Sequence, residues 1–310
     1  MKFGTIAASG ALLLTVAVIA AGCATETVEP TATATSAPSA TATPTATAAD
    51  FAASYGDCDA MAATFRTVTS ANPDSVDPTL SATCDGDSLI VASNSIPDYQ
   101  YVATTPEVLQ ASEQTVTIPV NPVDAATPTD IPMLGTIAVA VNGVAIYGPT
   151  ESTGGDVLSL VGALSECGSH SSPVQFHMHL FGWADAVDCL YPASEAESGD
   201  STVVGWSPDG YPIMSGLVCA DDTCSSTTQL ASSWQLTDES LFASDTWSAH
   251  SYVEGSGDLD QCNGRVDSDG QYRYYTTTTF PYFLGCYHGE VADDAIVGSG
   301  GAPGGPPARG

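Results

Sequence analysis

The chain has 310 residues, with 36 Asp and Glu against 5 Lys and Arg, a formal charge of −31 and a pI of about 4.1. A nucleic-acid surface needs clustered cations that displace counterions, and the basic residues here are singletons at Lys2, Arg66, Arg265, Arg273 and Arg309, which excludes nucleic acid and anionic lipid surfaces as partners. Charged residues are 13% of the chain and apolar ones 43%, so Ser, Thr, Gly and acids must build a surface that attracts cations and repels anions.

In chain order, residues 1–22 read as a lipoprotein signal peptide: one cation at Lys2, an apolar run over 11–19 too short to span a bilayer, then small residues. The Ile19-Ala-Ala-Gly-Cys23 junction resembles a bacterial lipobox, so Cys23 is the expected lipidation site. Acyl chains contribute about 0.8 kcal/mol per buried CH₂, enough in number to anchor a soluble protein firmly. The expected location is the extracytoplasmic face of the cell membrane, with the lipid as the sole membrane contact. Residues 23–49, almost all Thr, Ala, Pro and Ser, have no periodicity that buries a face and read as a stalk. The folded unit is expected over 50–295, followed by a disordered Gly/Pro tail over 296–310.

Within the folded unit, helical periodicity is confined to residues 57–67 and 237–243. Alternating apolar runs at 88–92, 115–120, 137–141 and 202–206, each bounded by Asn, Asp, Gly or Pro, follow the pattern of strands and turns. The expected class is mainly β: a disulfide-stapled domain of two quasi-repeated hairpin-plus-strand units with few short helices. The repeat is explicit. An apolar run meets Asn142-Gly143 in the first unit and Asp209-Gly210 in the second, a strong hairpin signal, and each run resumes with Ile three residues past the glycine. After the first hairpin come Cys167-Gly-Ser-His170, Gln175-Phe-His-Met-His179 and Cys189; after the second come Cys262-Asn-Gly-Arg265, Gln271-Tyr-Arg-Tyr-Tyr275 and Cys286. Beyond Cys23, the eight remaining cysteines of an exported chain read as four disulfides. The repeat favours Cys167 with Cys189 and Cys262 with Cys286, leaving Cys58 with Cys84 and Cys219 with Cys224 as the simplest remainder.

The segments Val141-Asn-Gly-Val-Ala-Ile-Tyr-Gly-Pro149, Cys167-Gly-Ser-His170 with Phe176-His-Met-His179, Gly205-Trp-Ser-Pro-Asp-Gly-Tyr-Pro-Ile213, Asp258-Leu-Asp-Gln-Cys-Asn-Gly-Arg265 and Phe280-Pro-Tyr-Phe-Leu-Gly-Cys286 resemble the YHYH-domain family over roughly residues 84–290. The name-giving tetrad departs: Phe176 and Met178 replace the two tyrosines, while both histidines stand. Related sequences can carry histidines in the second unit too, where this chain has Arg273 and Tyr275. The resemblance implies an exported domain and hints at metal, and it supplies no reaction.

Three of the five histidines, His170, His177 and His179, lie within ten residues. On a strand His177 and His179 share one face while Phe176 and Met178 take the other, and a turn at Ser171-Ser-Pro173 would fold His170 back beside them. Three imidazoles without a fourth protein ligand fit an open Zn or Cu site, whose affinity should fall below the ordinary histidine pKa range of about 6 to 7. His250 and His288 are candidate fourth ligands, and Glu166 and Asp185 candidate partners that orient the imidazoles. Arg265 and Arg273 occupy the corresponding places of the second unit, where structural ion pairs with carboxylates are expected. The stretch Asp267-Ser-Asp-Gly270 reads as a hairpin turn, not a calcium loop, and no nucleophile elbow, phosphate loop or dinucleotide glycine pattern occurs. The reading is a surface-anchored domain that binds Zn or Cu for capture or sensing. Its alternatives are a metal-dependent enzyme using the open position and a structural or adhesion domain without metal.

Overall fold

The computed structural model describes residues 54–200 and 202–298; the signal segment, Cys23, the stalk and residues 299–310 lie outside the described residues. Asp57 caps a short helix, α1 (Cys58–Ala63), by accepting from the Ala60 N–H at 3.2 Å. The helix ends well before residue 67: it buries only Met61, so no apolar face extends it, and the Thr64 hydroxyl closes it by donating to the Met61 carbonyl. Strands β1 (Leu80–Asp85), β2 (Ser88–Ser93), β3 (Gln114–Pro119) and β4 (Asp124–Thr129) follow. The first repeat unit comprises β5 (Thr136–Ala140), β6 (Ala145–Tyr147), β7 (Ser169–Ser171) and β8 (Phe176–Met178). After the one-turn helix α2 (Ala193–Ala196) come β9 (Val203–Trp206), β10 (Pro212–Met214), β11 (Leu217–Cys219), β12 (Thr227–Gln229) and β13 (Trp234–Leu236). The helix expected at 237–243 is a single 3₁₀ turn, Glu239–Leu241, that buries no residue under an Asp238 cap. Helix α3 (Thr246–Ala249) then leads into β14 (His250–Tyr252), β15 (Gly264–Val266), β16 (Tyr272–Tyr275), β17 (Tyr287–Gly289) and β18 (Ile296–Gly298). No helix among the described residues is long and apolar enough to cross a membrane.

The repeat builds one eight-stranded sheet in the order β15-β16-β10-β9-β5-β6-β8-β7. Its two halves meet where β5 runs antiparallel to β9, with Val139 opposite Trp206 and Ala140 opposite Gly205. A Cβ at Gly205 would sit 2.5 Å from the Val139 carbonyl oxygen, so the central seam needs glycine there. Outward from the seam the halves match pair by pair: β6 lies parallel to β8 and β10 parallel to β16, and β7 and β15 close the edges antiparallel. Both hairpin turns carry the same two bonds, Ala140 N–H to Val144 and Gly143 N–H to Ala140 in one, Ser207 N–H to Tyr211 and Gly210 N–H to Ser207 in the other. Gly143 and Gly210 hold φ of 84° and 96°. Each turn is thus a three-residue loop with glycine at the left-handed position.

Strands β5, β6, β9 and β10 are buried along their whole length, because the sheet β1-β2-β3-β18 contributes its own apolar face to the same core. Leu89 and Val91 of β2 and Val116 and Ile118 of β3 alternate inward. Ser93 donates to the Gly143 carbonyl at 2.6 Å, which joins the two layers through the hairpin turn. Strand β18, Ile296–Gly298, pairs with β3, so the fold extends three residues into the segment expected as tail: backbone pairing to residues 114–116 is enough to hold it. Four disulfides staple the domain: Cys58–Cys84, Cys167–Cys189, Cys219–Cys224 and Cys262–Cys286. Cys167 and Cys262 each stand three residues before the central residue of an edge strand, so the long bridges are equivalent in the two halves.

Candidate metal centre

The β7–β8 hairpin places His170 directly opposite His177, and the turn that includes Ser171-Ser-Pro173 closes it through the Ser172 N–H to the Gln175 carbonyl. Gly168, with φ of 75°, lets the chain turn so that its carbonyl accepts both the His179 and Leu180 N–H groups, which fixes His179 just past the strand end. The alternation expected of the strand is present: Phe176 and Met178 are buried in the main core, and Phe176 meets the rings of Tyr99 and Tyr101. As the sheet's last strand, β7 would expose an unpaired edge. Residues 101–105 cover it, with the Tyr101 hydroxyl accepting from the Ser171 N–H and the Thr105 hydroxyl donating to the Ser171 carbonyl.

The three imidazoles converge. His170 Nε2 lies 3.0 Å from His177 Nε2, and His177 Nε2 lies 2.9 Å from His179 Nε2. His177 Nδ1 is 3.1 Å from the Gln175 carbonyl and His179 Nδ1 is 2.6 Å from the Gly148 carbonyl. A carbonyl only accepts, so both Nδ1 atoms carry the proton and both Nε2 atoms present lone pairs to each other. Such a pair at 2.9 Å is no hydrogen bond in the neutral state. Nor is protonation favourable. Burial pushes all three pKa values below the ordinary histidine range, His179 to about 3, and the like charge of its neighbours depresses His177 further. A transition ion bonded to nitrogen at about 2.0–2.1 Å with angles of roughly 90–110° needs its nitrogens about 2.9–3.4 Å apart; the His170–His177 and His177–His179 pairs have this spacing, and all three ligand atoms lie within 4.8 Å of one another. Among the described residues, these three form the group of His, Cys, Asp and Glu side chains that could hold a metal ion.

Other side chains complete the surroundings. The Tyr147 ring stacks on His177 with centroids 3.7 Å apart and meets His179 edge-on, and burial holds its hydroxyl protonated by raising its pKa. Glu151 Oε1 lies 3.7 Å from His170 Nε2, buried and without a hydrogen-bond partner, and burial raises its pKa as well. A cleft of about 590 Å³ opens beside the triad and is lined by all three histidines, Tyr147, Thr150, Glu151 and Ser171. The expected orienting acids Glu166 and Asp185 are instead exposed on the flanking loops; backbone carbonyls of Gln175 and Gly148 do the orienting. Neither candidate fourth ligand joins the triad. His250 stacks on Phe280 at 4.0 Å with Nδ1 bonded to the Thr246 carbonyl, and His288 stacks on Tyr272 at 3.7 Å in the other half.

The second half holds the opposite arrangement. Arg265 pairs with Arg273 across β15–β16 as His170 does with His177, and Ile213 meets Tyr274 as Ile146 meets Met178, so Tyr275 stands where His179 does. At their centre is a carboxylate: Asp267 accepts from Arg265 at 3.0 Å, from Arg273 at 3.0 Å and from the Tyr275 hydroxyl at 2.6 Å. The Asp267–Gly270 bond closes the expected hairpin turn. The family model described as YHYH protein matches residues 115–289, more than half of the chain. The chain belongs to the YHYH family. No curated protein and no solved structure matches it. The matched segment spans both halves of the large sheet, and Phe176-His-Met-His179, the stretch that resembles the name-giving tetrad, lies on β8 and the residue after it. In this YHYH protein Phe176 and Met178, which alternate with the histidines along the strand, face the core and not the histidine cluster. Sequence reasoning overlooked Tyr147, Thr150 and Glu151. The available signal was the aromatic and acidic Tyr147-Gly-Pro-Thr-Glu151 run following the first hairpin, which the second replaces with Met214-Ser-Gly216.

Proposed function

We propose that this domain binds one divalent transition ion, Zn²⁺ or Cu²⁺, on His170, His177 and His179, and offers the remaining coordination positions to a molecule in the adjoining cleft. The observation that carries the reading is the facing of the His177 and His179 lone pairs at 2.9 Å, each locked by a backbone carbonyl on its other nitrogen. Two buried acceptors held that close repel unless a cation lies between them. The chemistry a bound ion supplies at such a centre is polarisation of a coordinated water or ligand. Glu151, beside His170, is placed to accept or hold a proton there, and Tyr147 keeps the His177 ring in its plane.

The cleft favours metal-dependent work on a bound molecule, and hence the enzyme reading, over capture or sensing, since an ion held only for storage gains nothing from an open wall. The signal segment, the Cys23 junction and four disulfides support an extracytoplasmic, lipid-anchored setting. Titration calorimetry of the purified protein with Zn²⁺ and Cu²⁺ tests the centre. One equivalent should bind, the His177→Ala, His179→Ala double variant should lose it while retaining its circular dichroism, and His288→Ala should bind as the parent does. Equal binding by the double variant would place the ion elsewhere and overturn the reading.

A further inference from the structure

The walls of the cleft bear on what it receives. Leu134, Leu160 and Val174 are large apolar side chains left 46%, 48% and 52% exposed, and all three line this one cleft, with Pro173, Ala163 and the Tyr147 ring beside them. Exposed apolar groups gathered in a concave site point to an apolar ligand. No Lys or Arg lines the cleft. The three arginines among the described residues are engaged elsewhere: Arg66 with the Leu190 carbonyl and Asp98, Arg265 and Arg273 with Asp267. The charged groups that do line it, Glu107 and Glu151, are acids, so a phosphate, sulfate or carboxylate would enter without a counter-charge other than the ion itself. Polar contacts are nevertheless on offer. The Thr150 and Ser171 hydroxyls and Glu151 Oε1 are buried at this cleft without a hydrogen-bond partner, and a buried polar atom left so costs free energy until a ligand or water meets it.

Building on the metal centre proposed above, we infer that the cleft takes a small, uncharged, mainly apolar molecule carrying one nitrogen or oxygen donor. The donor completes the coordination of the ion, neighbouring neutral polar groups meet Thr150, Ser171 and Glu151, and the apolar body lies against Leu134, Leu160 and Val174. Size agrees, since about 590 Å³ falls in the range of roughly 300–1,000 Å³ that holds small organic ligands. Both acids and the overall charge of −31 act against anions, and the ion at the head of the cleft acts against cations.

The test uses the full chain loaded with Co²⁺ as a spectroscopic substitute, titrated at pH 8 with imidazole, 4-phenylimidazole and 4-(imidazolyl)benzoate while the visible spectrum is followed. Phenylimidazole should bind tighter than imidazole by about tenfold, the effect of burying roughly half a phenyl ring, and the benzoate should bind less tightly than phenylimidazole. Leu160→Asp, a change at a half-exposed position, should abolish the phenyl advantage and leave metal stoichiometry and imidazole affinity as in the parent. Equal affinity for imidazole and phenylimidazole, or tighter binding of the benzoate, overturns the inference while leaving the metal centre standing. Should the chain take up no metal, the centre fails by itself. The cleft is then judged in chelator-treated protein, where phenylimidazole must still perturb the fluorescence or chemical shifts of the parent and not of Leu160→Asp, and no difference between them overturns it.

Discussion

Replacing His179 by Gln should blunt the acid sensitivity of the metal-free fold. The His179 ring is 1% exposed, and burial lowers its pKa to about 3, against about 6.5 in an unfolded chain. The unfolded state therefore takes up the proton first. Stability from the neutral buried ring is complete above about pH 6.5 and is lost progressively as pH falls toward 3. At pH 5 the loss relative to pH 7.5 is about 1.5 pH units at 1.36 kcal/mol each, or about 2 kcal/mol from this residue alone. Gln retains an amide donor for the Gly148 carbonyl and does not titrate, and the contributions of carboxylates distant from the site are common to both proteins. Urea denaturation in EDTA at pH 7.5 and pH 5.0 reads the difference directly: the parent should lose about 2 kcal/mol more than the variant between the two conditions. Equal losses would mean that His179 is not buried neutral, and the lone-pair argument for the metal centre would fall with it. The same depression should extend the proposed metal binding into acid. If the triad binds an ion as proposed, its three imidazoles would remain unprotonated below the pH at which exposed histidines charge, and the fall in affinity expected at pH 6 to 7 from unperturbed values should be displaced downward.

Cys23→Ala should release the protein from the membrane fraction or block its processing, and unchanged detergent partitioning and processing would reject the lipid anchor. Non-reducing peptide mapping should recover Cys167 joined to Cys189 and Cys262 joined to Cys286, and Cys262→Ala, Cys286→Ala should cost on the order of 3 kcal/mol in urea, the chain-entropy value for a closed loop of this size. Free thiols at these positions, or bridges between the two halves, would contradict the repeat.

The β class, the hairpins and the equivalence of the two halves were legible because each rests on local chemistry. An Asn-Gly or Asp-Gly pair between apolar runs fixes a turn, and the turn fixes the pairing on either side. The triad was legible for the same reason: alternation puts His177 and His179 on one face, and a seven-residue span between His170 and His177 suits a hairpin. The short helices were overread because periodicity does not reveal whether a face has anything to pack against, and Met61 is the only residue that α1 buries. Glu151 and Tyr147 escaped because their proximity to the triad depends on β6 lying parallel to β8, a non-local pairing that no spacing in the sequence announces. Glu166 and Asp185, near the triad in sequence, were plausible orienters on that ground alone, yet the strand register gave the task to backbone carbonyls.

The two halves of the sheet solve one structural problem with opposite charge. At equivalent places on matched hairpins, the first gathers three imidazole nitrogens, those of His177 and His179 fixed as acceptors, around a point that could hold a cation, and the second gathers two guanidinium groups and a phenol around the Asp267 carboxylate. The second half therefore supplies its own central charge and should be a stability element. Arg273 is fully buried and also holds Asp269, whose carboxyl it keeps below the ordinary range. Removing it as Arg273→Met strands a carboxylate that is only 3% exposed, a loss of about 3–5 kcal/mol for a broken buried pair. The lower end applies here, because Arg265 and Tyr275 still donate to Asp267. Neutralising the stranded group as well, in Arg273→Met with Asp267→Asn, should recover part of that cost, so the double variant should be more stable than the sum of the two single changes. Urea melts of the four proteins complete the cycle, and strict additivity would show that Asp267 is not the charge these donors surround.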